Sequence, residues 1–264
     1  MSCSEKNSIS PKGRVFLVGA GPGDPELLTL KAYRLLSQAK VVIYDRLANH
    51  AILDVIPSDC EIIYAGKRKH LHTLSQAQIQ NLMLDRATQG LDVVRLKGGD
   101  PGIFGRMGEE IAALEEANVG YEVVPGITAA TGAAASIGLS LTHRDAAQAV
   151  TFITAHGRSG VLEIDWDLIQ SARQTIVIYM GLSLLPALVE GLLSRGKPPS
   201  TPFSAISQAT RPDEIVIHST LGGLLLEPQL SSLQSPTLLV LHYDARYQAR
   251  VAQTDFSLQQ EQRR

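Results

Sequence analysis

Val15-Phe16-Leu17-Val18-Gly19-Ala20-Gly21-Pro22-Gly23-Asp24-Pro25 is an apolar run that stops abruptly in glycine and proline. Such a run reads as a buried strand, because Gly and Pro supply the backbone angles of a tight turn and end the ladder. An amphipathic stretch at 27–39 follows, and then Val41-Val42-Ile43-Tyr44, so the chain begins strand, helix, strand. Further on, 61–64 reads as a strand. Ser75, with Gln78 three residues later, reads as a capping box that opens a helix ending near Gly90. Residues 91–96 read as a strand, 106–117 as a helix and 121–124 as a strand. Strands joined by helical crossovers predict a mostly parallel sheet covered on both faces.

Pro125-Gly126 breaks the alternation, and a helix of small residues at 127–137 leads into a second half of different character. There, strands are expected at 149–153, 175–180, 203–206, 214–218 and 237–242, with a helix at 183–194. The short polar link between 203–206 and 214–218 predicts antiparallel pairing and hence a mixed sheet. The expected fold is α/β with two lobes, 14–125 and 126–246, and flexible tails at 1–13 and 253–264.

Composition narrows the function. The 264 residues carry a formal charge of -2, and a general nucleic-acid binder needs a strong basic excess. Cys3 and Cys60 are too few for a disulfide framework or a cysteine metal site, which suits a reducing cytoplasm. Residues 1–13 lack the apolar core of a secretory leader, and the most apolar stretch, 129–141, is too short to span a bilayer. His143 and His156 have no partner at ligand spacing, so no metal is expected.

The first glycine loop is not a dinucleotide fingerprint. That motif needs a small residue where Asp24 stands, and Pro22 and Pro25 stiffen the loop, although Asp45 does close the second strand. Taken alone, the loop fits a plain strand-to-helix turn as well as a binding loop. A second loop, Gly98-Gly99-Asp100-Pro101-Gly102-Ile103-Phe104-Gly105, leaves the strand at 91–96. Ligands of parallel α/β sheets bind beyond the carboxyl ends of strands, and two such loops at one edge reinforce each other.

Six segments together carry a resemblance. They are Val18-Gly19-Ala20-Gly21-Pro22-Gly23-Asp24, Tyr44-Asp45-Arg46-Leu47, Gly66-Lys67-Arg68, Arg95-Leu96-Lys97-Gly98-Gly99-Asp100-Pro101, Val124-Pro125-Gly126-Ile127-Thr128-Ala129 and Thr154-Ala155-His156-Gly157. In this order they resemble the tetrapyrrole methylases, from about Val15 to His242. The second and third segments are most similar to the branch that methylates uroporphyrinogen III.

The resemblance implies a homodimer of two-lobed chains with S-adenosyl-L-methionine in the cleft between lobes. It implies two methyl transfers to uroporphyrinogen III that give precorrin-2 and S-adenosyl-L-homocysteine, on the route to sirohaem or cobalamin. Matched by position, the donor contacts would be Pro22, Gly98, Gly99, Asp100, Ile103, Thr128, Ala129, Met180 and Ala209. Asp45 matches the proton acceptor and Lys67 the proposed proton donor. Without the resemblance, Met180 would read as core filling and Lys67 as a surface lysine. Similar proteins often have Gly where Met107 and Ala209 stand.

The substrate's eight carboxylate side chains call for cations, and Lys67-Arg68-Lys69-His70 with His72 is the densest basic run. Arg46, Arg68, Lys69, Arg106 and Arg144 are the candidate carboxylate partners. Two alternatives share the donor loops. One is a sister methylase acting on a later corrinoid precursor, and the other is a non-catalytic donor-binding relative.

Overall fold

A computed structural model describes residues 12–66, 74–155, 161–171 and 173–242. Both expected tails lie wholly or largely outside these residues, as do Cys3, Lys67, Arg68, Lys69, His70, His72 and His156. The chain forms two compact units that divide between Thr128 and Ala129.

The first unit holds strands β1 (Val15–Gly19), β2 (Val41–Tyr44), β3 (Glu61–Tyr64), β4 (Val93–Lys97) and β5 (Tyr121–Val124), with helices α1 (Leu30–Ser37), α2 (Gln76–Thr88) and α3 (Met107–Glu116). Strand order is β3-β2-β4-β1-β5, and all four pairings are parallel. Val15 pairs with Val93 on one side and Tyr121 on the other, so β1 and β4 lie inside the sheet. Side chains alternate between the faces. Val18, Val42 and Leu96 pack with Ala32 and Leu36 of α1. Val15, Leu17, Ile43 and Val93 pack with Ile79 and Met83 of α2 and Leu114 of α3. Burial on both faces explains why these strands read as continuous apolar runs.

Helix ends follow local chemistry. A 3-10 turn at Pro25–Leu27 takes up the start of the stretch read as helix, and Thr29 then caps α1, its Oγ1 accepting the Ala32 N–H at 3.1 Å. The capping box at α2 is present. Ser75 Oγ accepts the Gln78 N–H at 3.2 Å, and Gln78 Oε1 accepts the Ser75 N–H at 2.7 Å.

The second unit holds α4 (Ala129–Ser136), β6 (Ala149–Thr154), β7 (Gln174–Tyr179), α5 (Leu185–Ser194), β8 (Pro202–Ser207), β9 (Ile215–Thr220) and β10 (Thr237–Leu241). Its sheet order is β6-β7-β10-β8-β9. The β6/β7 pair is parallel and the rest are antiparallel, which is the mixed sheet expected from the short link between β8 and β9. One face packs Ile176, Ile178, Phe203 and Leu239 against Leu188 and Leu192 of α5. The other sets Val177, Ile206 and Val240 against Ala130, Ala133 and Ala134 of α4. Among the described residues, no helix is long and apolar enough to cross a membrane.

Candidate active site

The two glycine loops meet at the carboxyl edge of the parallel sheet. Gly21 N–H donates to the Gly99 carbonyl at 3.1 Å, and Gly99 N–H returns to the Gly21 carbonyl at 2.8 Å. Both residues sit in the left-handed region, at φ +71° and +68°, where a side chain would be strained. Packing accounts for other glycines. A Cβ on Gly98 would stand 2.5 Å from Cβ of Leu47, and one on Gly19 would stand 2.7 Å from the Gly99 carbonyl oxygen.

Asp100 ties this edge to the end of the unit. Its Oδ1 accepts the Gly102 N–H at 2.8 Å and its Oδ2 accepts the Gly126 N–H at 3.0 Å. Both carboxylate oxygens therefore hold loops; Pro22, in the first glycine loop, and Ile103, in the second, are half-buried. Phe104 and Arg106 adopt φ values of 52° and 56° without being glycine. Strained backbone of this kind persists where surrounding contacts over-determine it, commonly at functional loops. Arg106 then opens α3 and forks to Glu109, with Nε and Nη2 donating at 2.7 and 2.6 Å. That pair is more than half exposed.

Asp45, just beyond β2, is held through both oxygens. Oδ1 accepts the Leu47 N–H at 3.0 Å, and Oδ2 accepts Arg95 Nη2 at 3.1 Å. Arg95 lies on β4 and is 3% exposed, and its Nε donates to Glu110 Oε1 at 3.1 Å. Glu110, fully buried on α3, also accepts Lys97 Nζ at 2.8 Å and Gln76 Nε2 at 3.3 Å. Two cations and two anions thus form a chain that runs from the interior out to Asp45, itself about a quarter exposed. Burial, helped by the neighbouring Arg95 charge, pushes the Lys97 ammonium below its ordinary value against the opposing pull of Glu110.

In the second unit Ala129 opens α4, and the next residue's N–H donates to Tyr179 Oη at 3.0 Å. Met180 follows β7 with φ 55° and is 50% exposed. Met180 lies beyond β7, which ends at Tyr179, and at half exposure it is not the core filling that its apolar neighbours alone would suggest. Ala209 is buried in the core that contains α4. Arg144 is exposed in the turn between His143 and Ala147.

A model of the family described as Tetrapyrrole (Corrin/Porphyrin) Methylases matches residues 14–225. The chain belongs to the tetrapyrrole methylases. Within this family it is 47% identical over 248 residues to a siroheme synthase of Nitrosomonas eutropha, matching 93% of this chain and 52% of that protein. It is 48% identical to a siroheme synthase of Gluconobacter oxydans, over 89% of this chain and 50% of that one. The chain thus spans about half the length of these curated relatives. Among solved structures, uroporphyrin-III C-methyl transferase from Thermus thermophilus, complexed with S-adenyl homocysteine, matches at TM-score 0.74 and 41% identity. That match covers 87% of this chain and 97% of the other. A cobalt precorrin-4 methyltransferase matches at TM-score 0.77 and 29% identity, over 87% of this chain and 94% of that one.

The glycine loops of the first unit offer the backbone amides and carbonyls of Gly98 and Gly99 and the half-buried apolar side chain of Ile103, which suit a nucleoside such as the S-adenyl homocysteine of the Thermus thermophilus structure. Among the described residues, no group of three or more His, Cys, Asp or Glu is arranged to hold a metal. Met107 packs onto the core between the sheet and α2 and α3.

Sequence reasoning missed Arg95, Lys97, Glu110 and Gln76 as parts of the site. The signal was there in β4. Arg95 and Lys97 are two charges in a strand otherwise read as buried, and charge in such a strand demands partners.

Proposed function

We propose that this chain is an S-adenosylmethionine-dependent methyltransferase that transfers two methyl groups to ring carbons of uroporphyrinogen III. The observation that carries the reading is Asp45. It is a part-exposed carboxylate at the carboxyl end of a parallel strand, fixed through both oxygens on the edge where the two glycine loops meet. The likeness to a uroporphyrin-III C-methyl transferase over nearly its full length supports the choice of acceptor. Relatives named siroheme synthase favour sirohaem as the destination of the product.

S-adenosylmethionine supplies, when bound, an electrophilic methyl group and needs no metal to do so. Pro22, Gly98, Gly99, Asp100 and Ile103, with Thr128, Ala129, Met180 and Ala209, are proposed to hold it, and that positioning is the larger part of the catalysis. Alkylation of a pyrrole carbon leaves a cationic ring that must lose a proton. Asp45 stabilises that charge and accepts the proton, and Lys67 serves as proton donor. Arg46, Arg68, Lys69, Arg106 and Arg144 grip the substrate's carboxylates. Arg106 reaches them by exchanging its exposed pairing with Glu109, which costs little. The working enzyme is a homodimer.

An anaerobic assay of the purified protein with donor and uroporphyrinogen III tests the reading. Gain of two methyl groups, with S-adenosylhomocysteine formed in step, is the expected result. Donor binding by calorimetry without methyl gain would reject uroporphyrinogen III as the acceptor.

A further inference from the structure

Asp45 is the surface end of a buried ionic chain, and the chain's geometry has a direction. Arg95 spends every side of its guanidinium. Nη2 donates to Asp45 Oδ2 at 3.1 Å, Nε donates to Glu110 Oε1 at 3.1 Å, and Nη1 donates to the backbone carbonyls of Leu96 at 2.9 Å and Ile43 at 3.4 Å. A planar fork with all edges engaged cannot rotate without breaking several bonds at once. Glu110 is in turn fixed by Lys97 and Gln76. It comes from α3, so the helix that Arg106 opens also sets where the Arg95 fork points.

Burying this many charges is a poor way to gain stability, since apolar residues of equal size often do as well or better. A fixed carboxylate, however, needs such a support. Among the described residues, the only other bond to the Asp45 carboxylate is the local one from Leu47 N–H at 3.0 Å, which ties it to its own turn and to nothing in the sheet. We propose that Arg95, locked by Glu110, is the positioning residue that holds Asp45 in the orientation for proton acceptance. The inference rests on the proposed role of Asp45 as proton acceptor. Arg95 itself is buried and touches no substrate.

The test is a double-mutant cycle on kcat, measured on the full chain with S-adenosylmethionine and uroporphyrinogen III. Arg95→Lys keeps the charge but loses the fork, and Asp45→Asn removes the base. Arg95→Lys should lower kcat about tenfold or more while KM for the donor stays within about twofold. In the Asp45→Asn background it should change kcat by less than about twofold, because a residue acting through Asp45 has nothing left to position. Equal losses in both backgrounds, or no loss in the first, overturn the inference and assign Arg95 a purely structural role. Near-normal kcat in Asp45→Asn alone would instead sink the underlying reading of Asp45. If Arg95→Lys shows no cooperative thermal transition, Glu110→Gln enters the same cycle, with the same two outcomes deciding.

Discussion

Gly19 and Gly126 lie so close that a Cβ on Gly19 would stand 2.5 Å from the backbone nitrogen of Gly126. Gly19 closes β1, and Gly126 follows β5, the strand beside it. The neighbours a new methyl would strike are main-chain atoms, which cannot move aside as a flexible side chain can.

Gly19→Ala should therefore destabilise the protein by about 3 kcal/mol or more, at the upper end of what overpacking costs. Urea unfolding measures it, and a midpoint within error of the parent would show that the strand ends yield. Gly108, whose Cβ would meet nothing within 4 Å, is the control. Gly108→Ala lies inside α3 and should gain up to about 1 kcal/mol from helix propensity.

Asp100 joins the second glycine loop to Gly126 by its two carboxylate oxygens. Asp100→Ala should weaken S-adenosylmethionine binding at least about tenfold, because the loop that presents Gly98, Gly99 and Ile103 loses its clasp. Asp100→Asn retains one acceptor and should fall between. Calorimetric titration gives both numbers, and an unchanged affinity for Asp100→Ala would remove this loop from the donor site.

Glu61 and Arg86 form a forked pair on the outer strand, with bonds of 2.7 and 2.9 Å. Hydrogen bonds from Arg86 hold the Glu61 carboxyl below its ordinary value of 4.5, against a smaller opposing effect of burial. A carboxyl whose value is depressed on folding stabilises above the unfolded value, and that gain is lost as pH falls through the folded one. Arg86→Met should thus lower the urea midpoint slightly at pH 7. The gap from the parent should close as pH is taken down through and below 4.5. A gap that stays constant with pH would mean that the loss is one of packing along the arginine stem.

Met180→Ala should leave stability within about 0.5 kcal/mol of the parent, as is usual for side chains that contribute little to the core. The residue is half exposed and follows its strand in the left-handed region. Donor affinity should fall severalfold in the same variant. Intact affinity would confine Met180 to some other task.

The order of strands and helices could be read from the chain because both of its signals are local. Val41-Val42-Ile43-Tyr44 announces a buried strand by itself, and Ser75 with Gln78 announces a helix start. Helix starts were less legible where a 3-10 turn precedes the cap, as at Pro25–Leu27 before Thr29. The glycine loops and Asp45 were visible through the family pattern. The support behind Asp45 was not, because Arg95, Glu110 and Gln76 meet only when β4, α3 and α2 pack together. Local pattern alone would have put Met180 in the core, because its apolar neighbours in β7 are buried; the strand ends before it, and the resemblance set it apart as a donor contact.

The placement of β1 has a consequence for synthesis on the ribosome. Its two neighbours in the sheet, β4 and β5, begin at Val93 and Tyr121, so the first strand made waits for partners that come late. At about 5–20 residues per second, Val15 to Gly19 is outside the exit tunnel for several seconds or more with both edges open. The strand is apolar and its ladder groups are unpaired during that time, which is the condition under which nascent chains aggregate or recruit chaperones. The β8–β9 pair faces no such delay, since its strands are close neighbours in sequence and can pair as soon as they emerge.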